Sequence, residues 1–178
     1  MEVVQDSVQV VAESIKQYYR VQMVEKEIIA NTAETFQNLI NEMKDLLDEI
    51  SANYMVEEQE GGIIKFMIES CELYMRIDQS IDGGLALPPD YQRIFNGDKL
   101  LCGSILIYRK DNHTEKFHLI KRLLINEEGK ISSQFENTRF EEGDKLTVIA
   151  QNVIRDTLTV KTKKCYPKCS EISEVDTL

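Results

Sequence analysis

The segment NTAETFQNLINEMKDLLDEI, residues 31–50, carries its apolar side chains on one helical stripe and its charges on another. Phe36, Met43 and Ile50 recur every seven residues, with Leu39, Ile40, Leu46 and Leu47 between them. A stripe that wide suits a helix lying on a domain core, because it is broader than the two-position seam of a coiled coil. Asn31 is followed three residues later by Glu34, the pattern of a capping box at a helix start. The spacing therefore predicts a helix from near Asn31 to about Tyr54, packed mainly against its own domain.

Upstream, Val4, Val8, Val11, Ile15 and Tyr18 are separated by steps of 4, 3, 4 and 3. That is heptad spacing, the signature of a helix with a narrow apolar seam. Val21, Val24 and Ile28 continue it on a rotated face, as a stutter does. Two helices with a break near residue 30 are expected over residues 1–60. The first either folds back as a hairpin or pairs with another subunit. The five seam residues are the candidate self-association site, and a homodimer is the expected assembly.

Downstream, the period changes to two. Gly61-Gly62 frees the chain to turn. Ile64, Phe66 and Ile68 then alternate with Lys65, Met67 and Glu69, as in a strand with one buried face. The alternation resumes in the other register at Leu73, Met75 and Ile77. This predicts an extra residue, hence a bulge, at Ser70-Cys71 in preference to a tight turn. Strands are expected over 99–110 and 116–126, joined by the polar hairpin loop DNHTE. A turn at Asn126–Gly129 leads to a short strand at 130–134. Leu146, Ile149, Ala150, Val153, Ile154, Thr157 and Leu158 form a broad helical face, with Asp144 as its expected N-cap.

Helices before and after strands linked by short loops define an α+β architecture. It comprises a long N-terminal helix or helical hairpin, an antiparallel sheet of four to five strands, and a C-terminal helix on one face of the sheet. The expected divisions are an acidic helical arm at 1–60, the sheet and C-terminal helix at 61–164, and a flexible tail at 165–178. Several unrelated folds share this outline, so it does not fix function.

The chain has 178 residues, 42% hydrophobic and 29% charged, with a net charge of -10. Residues 1–60 hold 13 acids and 4 bases, whereas residues 61–135 hold ten of each. Such a front repels the phosphates of a duplex, so direct nucleic-acid binding is not expected. It suits a basic protein partner, or simply a solvated face. No apolar run is long enough to span a bilayer, and the N-terminus lacks a basic signal region, which together predict a cytoplasmic protein.

Few residues suggest chemistry. Cys165 and Cys169 form a C-x-x-x-C pair, half of a zinc site at most; Cys71 and Cys102 read as reduced thiols in the core. His113 lies beside Asp111 and Glu115 in a loop of turn-forming residues. Lys121 interrupts an apolar strand and predicts an edge position. Lys161, Lys163 and Lys164 form the one basic cluster. The C-terminal VDTL fits a groove that captures free carboxylates, but four residues match such patterns by chance too often to carry weight. No P-loop, dinucleotide fingerprint, HExxH or GxSxG occurs. No catalytic residue, metal or cofactor is assigned. The expected function is a non-enzymatic interaction or regulatory protein. The alternative is a small enzyme or ligand-binding domain with a site under the 79–98 loop, using Asp82, Asp90, Tyr91, Arg93 and His113 or His118.

Overall fold

The computed structural model describes residues 2–78, 102–135, 141–142, 145–159 and 174–178. One helix, α1, runs unbroken from Glu2 to Glu49. The break expected near residue 30 is absent, because Asn31, the expected cap, has other partners. The Asn31 amide donates to the carbonyls of Glu127 at 2.9 Å and Asn126 at 3.4 Å, across the chain. Thr32 Oγ1 donates to the Ile28 carbonyl at 2.7 Å, bonding back along the helix. Ile28, Thr32, Thr35 and Phe36 are all buried, so tertiary packing carries the helix through the site where the local signal starts a new one.

The helix ends at Glu49, earlier than the periodicity suggests. Ser51 takes a left-handed conformation with φ 54°. Its N–H donates to the Asp48 carbonyl at 3.0 Å, while the Ala52 N–H donates to that of Leu47 at 2.9 Å. This is a Schellman termination, with Ser where Gly is usual. The chain then enters a strand, β1 (Tyr54–Gln59), in a region expected to end the helical arm. The Tyr54 hydroxyl donates to Asp48 Oδ1 at 2.7 Å and ties the strand to the helix it follows.

Strands β2 (Ile63–Ile68), β3 (Cys71–Asp78), β4 (Gly103–Lys110), β5 (Phe117–Ile125) and β6 (Ile131–Phe135) follow. With β1 they form six antiparallel strands in sequential order. Two short strands extend the sheet: β7 (Glu141–Glu142) pairs with β6, and β8 (Glu174–Val175) pairs with β5. The bulge expected at Ser70-Cys71 is instead a two-residue hairpin, with Ile68 opposite Cys71 and Glu69 at φ 53°. A bulge does occur in β5, where Ile107 faces Lys121 and Tyr108 faces Leu119, leaving Ile120 as the extra residue. It moves Leu123 and Ile125 to the opposite face from Phe117 and Leu119. Lys121 consequently lies 5% exposed in an interior strand, not at an edge.

Helix α2 (Leu146–Leu158) and the C-terminal half of α1 cover one face of the sheet. Phe36, Leu39, Met43 and Leu47 of α1 meet Phe66, Leu73, Ile105 and Leu123 of the sheet and Ile149 and Val153 of α2. The N-cap position of α2 is Lys145, which makes no side-chain cap bond; Asp144 lies outside the described residues.

At Gly103 the helix approaches β4 so closely that an added Cβ would lie 2.8 Å from Thr32 Cβ. Gly103→Ala is expected to cost about 1–3 kcal/mol through overpacking, with partial recovery in the Thr32→Ala background, as read by urea unfolding. Ser51→Gly relieves a left-handed side-chain position and is expected to add about 1 kcal/mol in the same assay.

Candidate interaction surface

Among the described residues, two surfaces of the fold have no helix over them. The first is the N-terminal half of α1. Every described side chain from Ser7 to Arg20 is exposed, and Ile28 is the first to be buried. At 1.5 Å per residue, the part of the helix before Ile28 is about 40 Å long. The stutter separates its two faces. Val21 and Val24 are half-buried and lead into the core at Ile28. The heptad seam stays in solvent, with Val8 65%, Val11 58%, Ile15 52% and Tyr18 60% exposed. The fifth seam residue, Val4, lies in the helix, and its side chain is not among those described.

Interactions along the arm are local. Ser14 Oγ donates to the Val10 carbonyl at 2.9 Å, Gln22 Nε2 donates to the Tyr18 hydroxyl at 2.7 Å, and Tyr18 and Tyr19 meet edge to face at 5.6 Å. The acidity of residues 1–60 is concentrated in their second half. Residues 1–30 carry five acids and three bases, whereas residues 31–60 carry eight acids and one base. The negative charge therefore sits on the outer side of the seated helix and on β1.

The second surface is the sheet face opposite the helices. Tyr74, Leu106 and Tyr108 form a buried cluster there, flanked by Ile63, Phe117, Leu119 and Leu178. Tyr74 and Phe117 meet edge to face at 5.0 Å. Glu72 is the hub of its charges. Its carboxylate accepts from the Tyr74 hydroxyl at 3.1 Å and pairs with Lys65 at 3.2 Å and Lys110 at 3.6 Å. Lys110 also reaches Glu115 at 2.7 Å. Burial pushes the Glu72 carboxyl up, but the bonds from Lys65 and Tyr74 and the two ammonium charges outweigh it and leave it below its ordinary value. The same competition leaves Lys65 raised: burial lowers it, and the bond to Glu72 more than compensates. These groups escape the sequence reading because the hairpin at Glu69-Ser70 is missed. With that turn placed, Lys65 falls opposite Tyr74 and diagonal to Glu72.

Of the remaining chemistry candidates, the described ones lie in or beside the DNHTE loop or as single cysteines in the sheet. Asp111 Oδ1 accepts the backbone N–H groups of His113 at 2.7 Å and Thr114 at 3.2 Å, organising the hairpin loop. His118 Nε2 stands 3.7 Å from its other oxygen, while His113 is exposed. Cys102 is buried, and that burial pushes its thiol up to about 11, against the pull of Arg122. Cys71 is half-buried and also unpaired. Among the described residues no group of three or more His, Cys, Asp or Glu is placed to hold a metal ion. Asp82, Asp90, Tyr91, Arg93, Lys161, Lys163, Lys164, Cys165 and Cys169 lie outside the described residues.

Comparison with protein-family models, curated proteins and solved structures yields no match. No helix among the described residues is long and apolar enough to cross a membrane.

A carboxyl lowered by folding stabilises the fold above its ordinary pKa, and that contribution is lost as pH falls through the folded value. Glu72→Gln is therefore expected to lower the urea midpoint at neutral pH and to flatten its fall below about pH 4.5. Wild-type and variant curves that run parallel through the acid range would remove Glu72 from the acid response.

Proposed function

We propose that the chain is a non-enzymatic interaction protein that self-associates through the N-terminal arm of α1, forming a homodimer. The observation that carries this reading is the exposure of Val8, Val11, Ile15 and Tyr18 on a helix that leaves its own domain behind. An unsupported helix of this length is marginal in water. This one is rich in valine, at residues 3, 4, 8, 10, 11, 21 and 24, and β-branched residues are poor helix formers. A packed apolar seam supplies the stability that propensity does not.

The pattern around the seam favours a second copy of the same helix. With Val8 and Ile15 at a positions, Val4, Val11 and Tyr18 take the d positions. The outermost f positions are then Asp6, Glu13, Arg20 and Glu27, all charged. As far as Val21 the flanking e and g positions, Gln5, Ser7, Ala12, Ser14, Tyr19 and Val21, carry no charge, and the next e position is Lys26. No like-charge repulsion therefore lines the seam. The seam closes at Gln22 and Glu25, just before the helix reaches the sheet. Contact between copies is thus limited to the arm.

Sedimentation equilibrium tests this. The full chain is expected to dimerise at tens of micromolar. Ile15→Lys is expected to weaken association at least about tenfold, the equivalent of ~1.4 kcal/mol, with the thermal transition of the sheet domain retained. A wild-type chain that stays monomeric at that concentration overturns the reading.

A further inference from the structure

The C-terminus ends on the sheet face that the helices leave open. Strand β6 pairs with β5 from Lys121 to Ile125 and stops at the bulge. On that side of β5 the backbone of Phe117 and His118 is met by β8, with Phe117 opposite Val175 and His118 opposite Glu174. Three residues after Val175, the Leu178 side chain packs against Tyr74, Leu106 and Tyr108. Asp176 and Thr177 between these two points are exposed.

We propose that the β5 edge at Phe117–His118, with the apolar shelf of Tyr74, Leu106 and Tyr108, is a strand-addition site whose resident occupant is the chain's own C-terminal segment, residues 174–178. Strand addition joins backbone hydrogen bonds, which any extended peptide makes, to a pocket that selects one side chain. Both parts are present: an edge of β5 beyond the end of β6, and a shelf that takes Leu178. The ligand class is an extended peptide with an apolar residue three positions after its ladder residue. Among the described residues the resident ladder is two residue pairs long and its anchor, Leu178, is half-buried, so it opens more readily than the core strands. While docked, it shields an exposed edge that would otherwise template pairing with another chain. This site lies on the opposite face from α1 and does not depend on the arm.

The test uses the full chain, a chain lacking residues 174–178, and Leu178→Asp, with a fluorescein-labelled peptide of residues 172–178 as probe. The resident segment competes with the probe, so the truncated chain is expected to bind it at least about tenfold more tightly than the full chain does. Leu178→Asp is expected to speed amide exchange over residues 116–120 at least about tenfold, with residues 103–107 unchanged. Equal probe affinity for the full and truncated chains, or no binding by a truncated chain with native circular dichroism, overturns the proposal. If truncation prevents folding, the exchange measurement decides alone: unchanged protection of residues 116–120 in Leu178→Asp overturns it.

Discussion

The structure depends on how closely α1 lies on β4. Gly103 and Thr32 meet where a side chain on the strand would collide with the helix, and Thr32 stays within the helix by bonding to the Ile28 carbonyl. That approach seats Phe36, Leu39, Met43 and Leu47 against the sheet, with α2 packed beside them. Asn31 fastens the same turn of helix to the β5–β6 connection. The two polar side chains and one glycine thereby fix where the helix leaves the sheet and which of its faces leaves with it. The direction of the arm is set inside the domain.

The two faces of the sheet are built differently. The helical side is mainly apolar, with Thr32, Thr35 and Thr157 buried on the helices and Lys121 beside the β5 bulge. The opposite side mixes aromatic rings with a charge network centred on Glu72, in which each member's burial is compensated by a partner. Two half-buried arginines on this side, Arg76 and Arg122, keep a buried Nε–H without an acceptor. For Arg122 this fits a guanidinium lowered by burial, with Tyr108 and Asp78 opposing the shift.

Much of this is legible in the sequence where the signal is local. The loop DNHTE and the turn at Gly129, whose φ is 75°, depend on turn chemistry that neighbouring residues declare. The amphipathic face of α2 and the α+β order are equally plain. The errors fall where a long-range partner overrides a local preference. Asn31 resembles a cap until the carbonyls of Asn126 and Glu127 are placed beside it. The helix end is hidden because Ser51, not Gly, takes the left-handed position. The β5 bulge is hidden because FHLIKRLLI is apolar on both faces, so no break in alternation marks Ile120. The seam from Val4 to Tyr18 is visible as a pattern, but only the fold shows that its described members remain in water.

Strand β1 forms one border of the sheet, and Glu57 and Glu58 project from it into solvent, with Glu60 just beyond. Two copies joining border to border would bring these carboxylates against their own counterparts, without a base on β1 to neutralise them. Electrostatic repulsion discourages growth of a continuous ribbon of sheets. The acidic stretch thus acts as a fence along that border of the molecule.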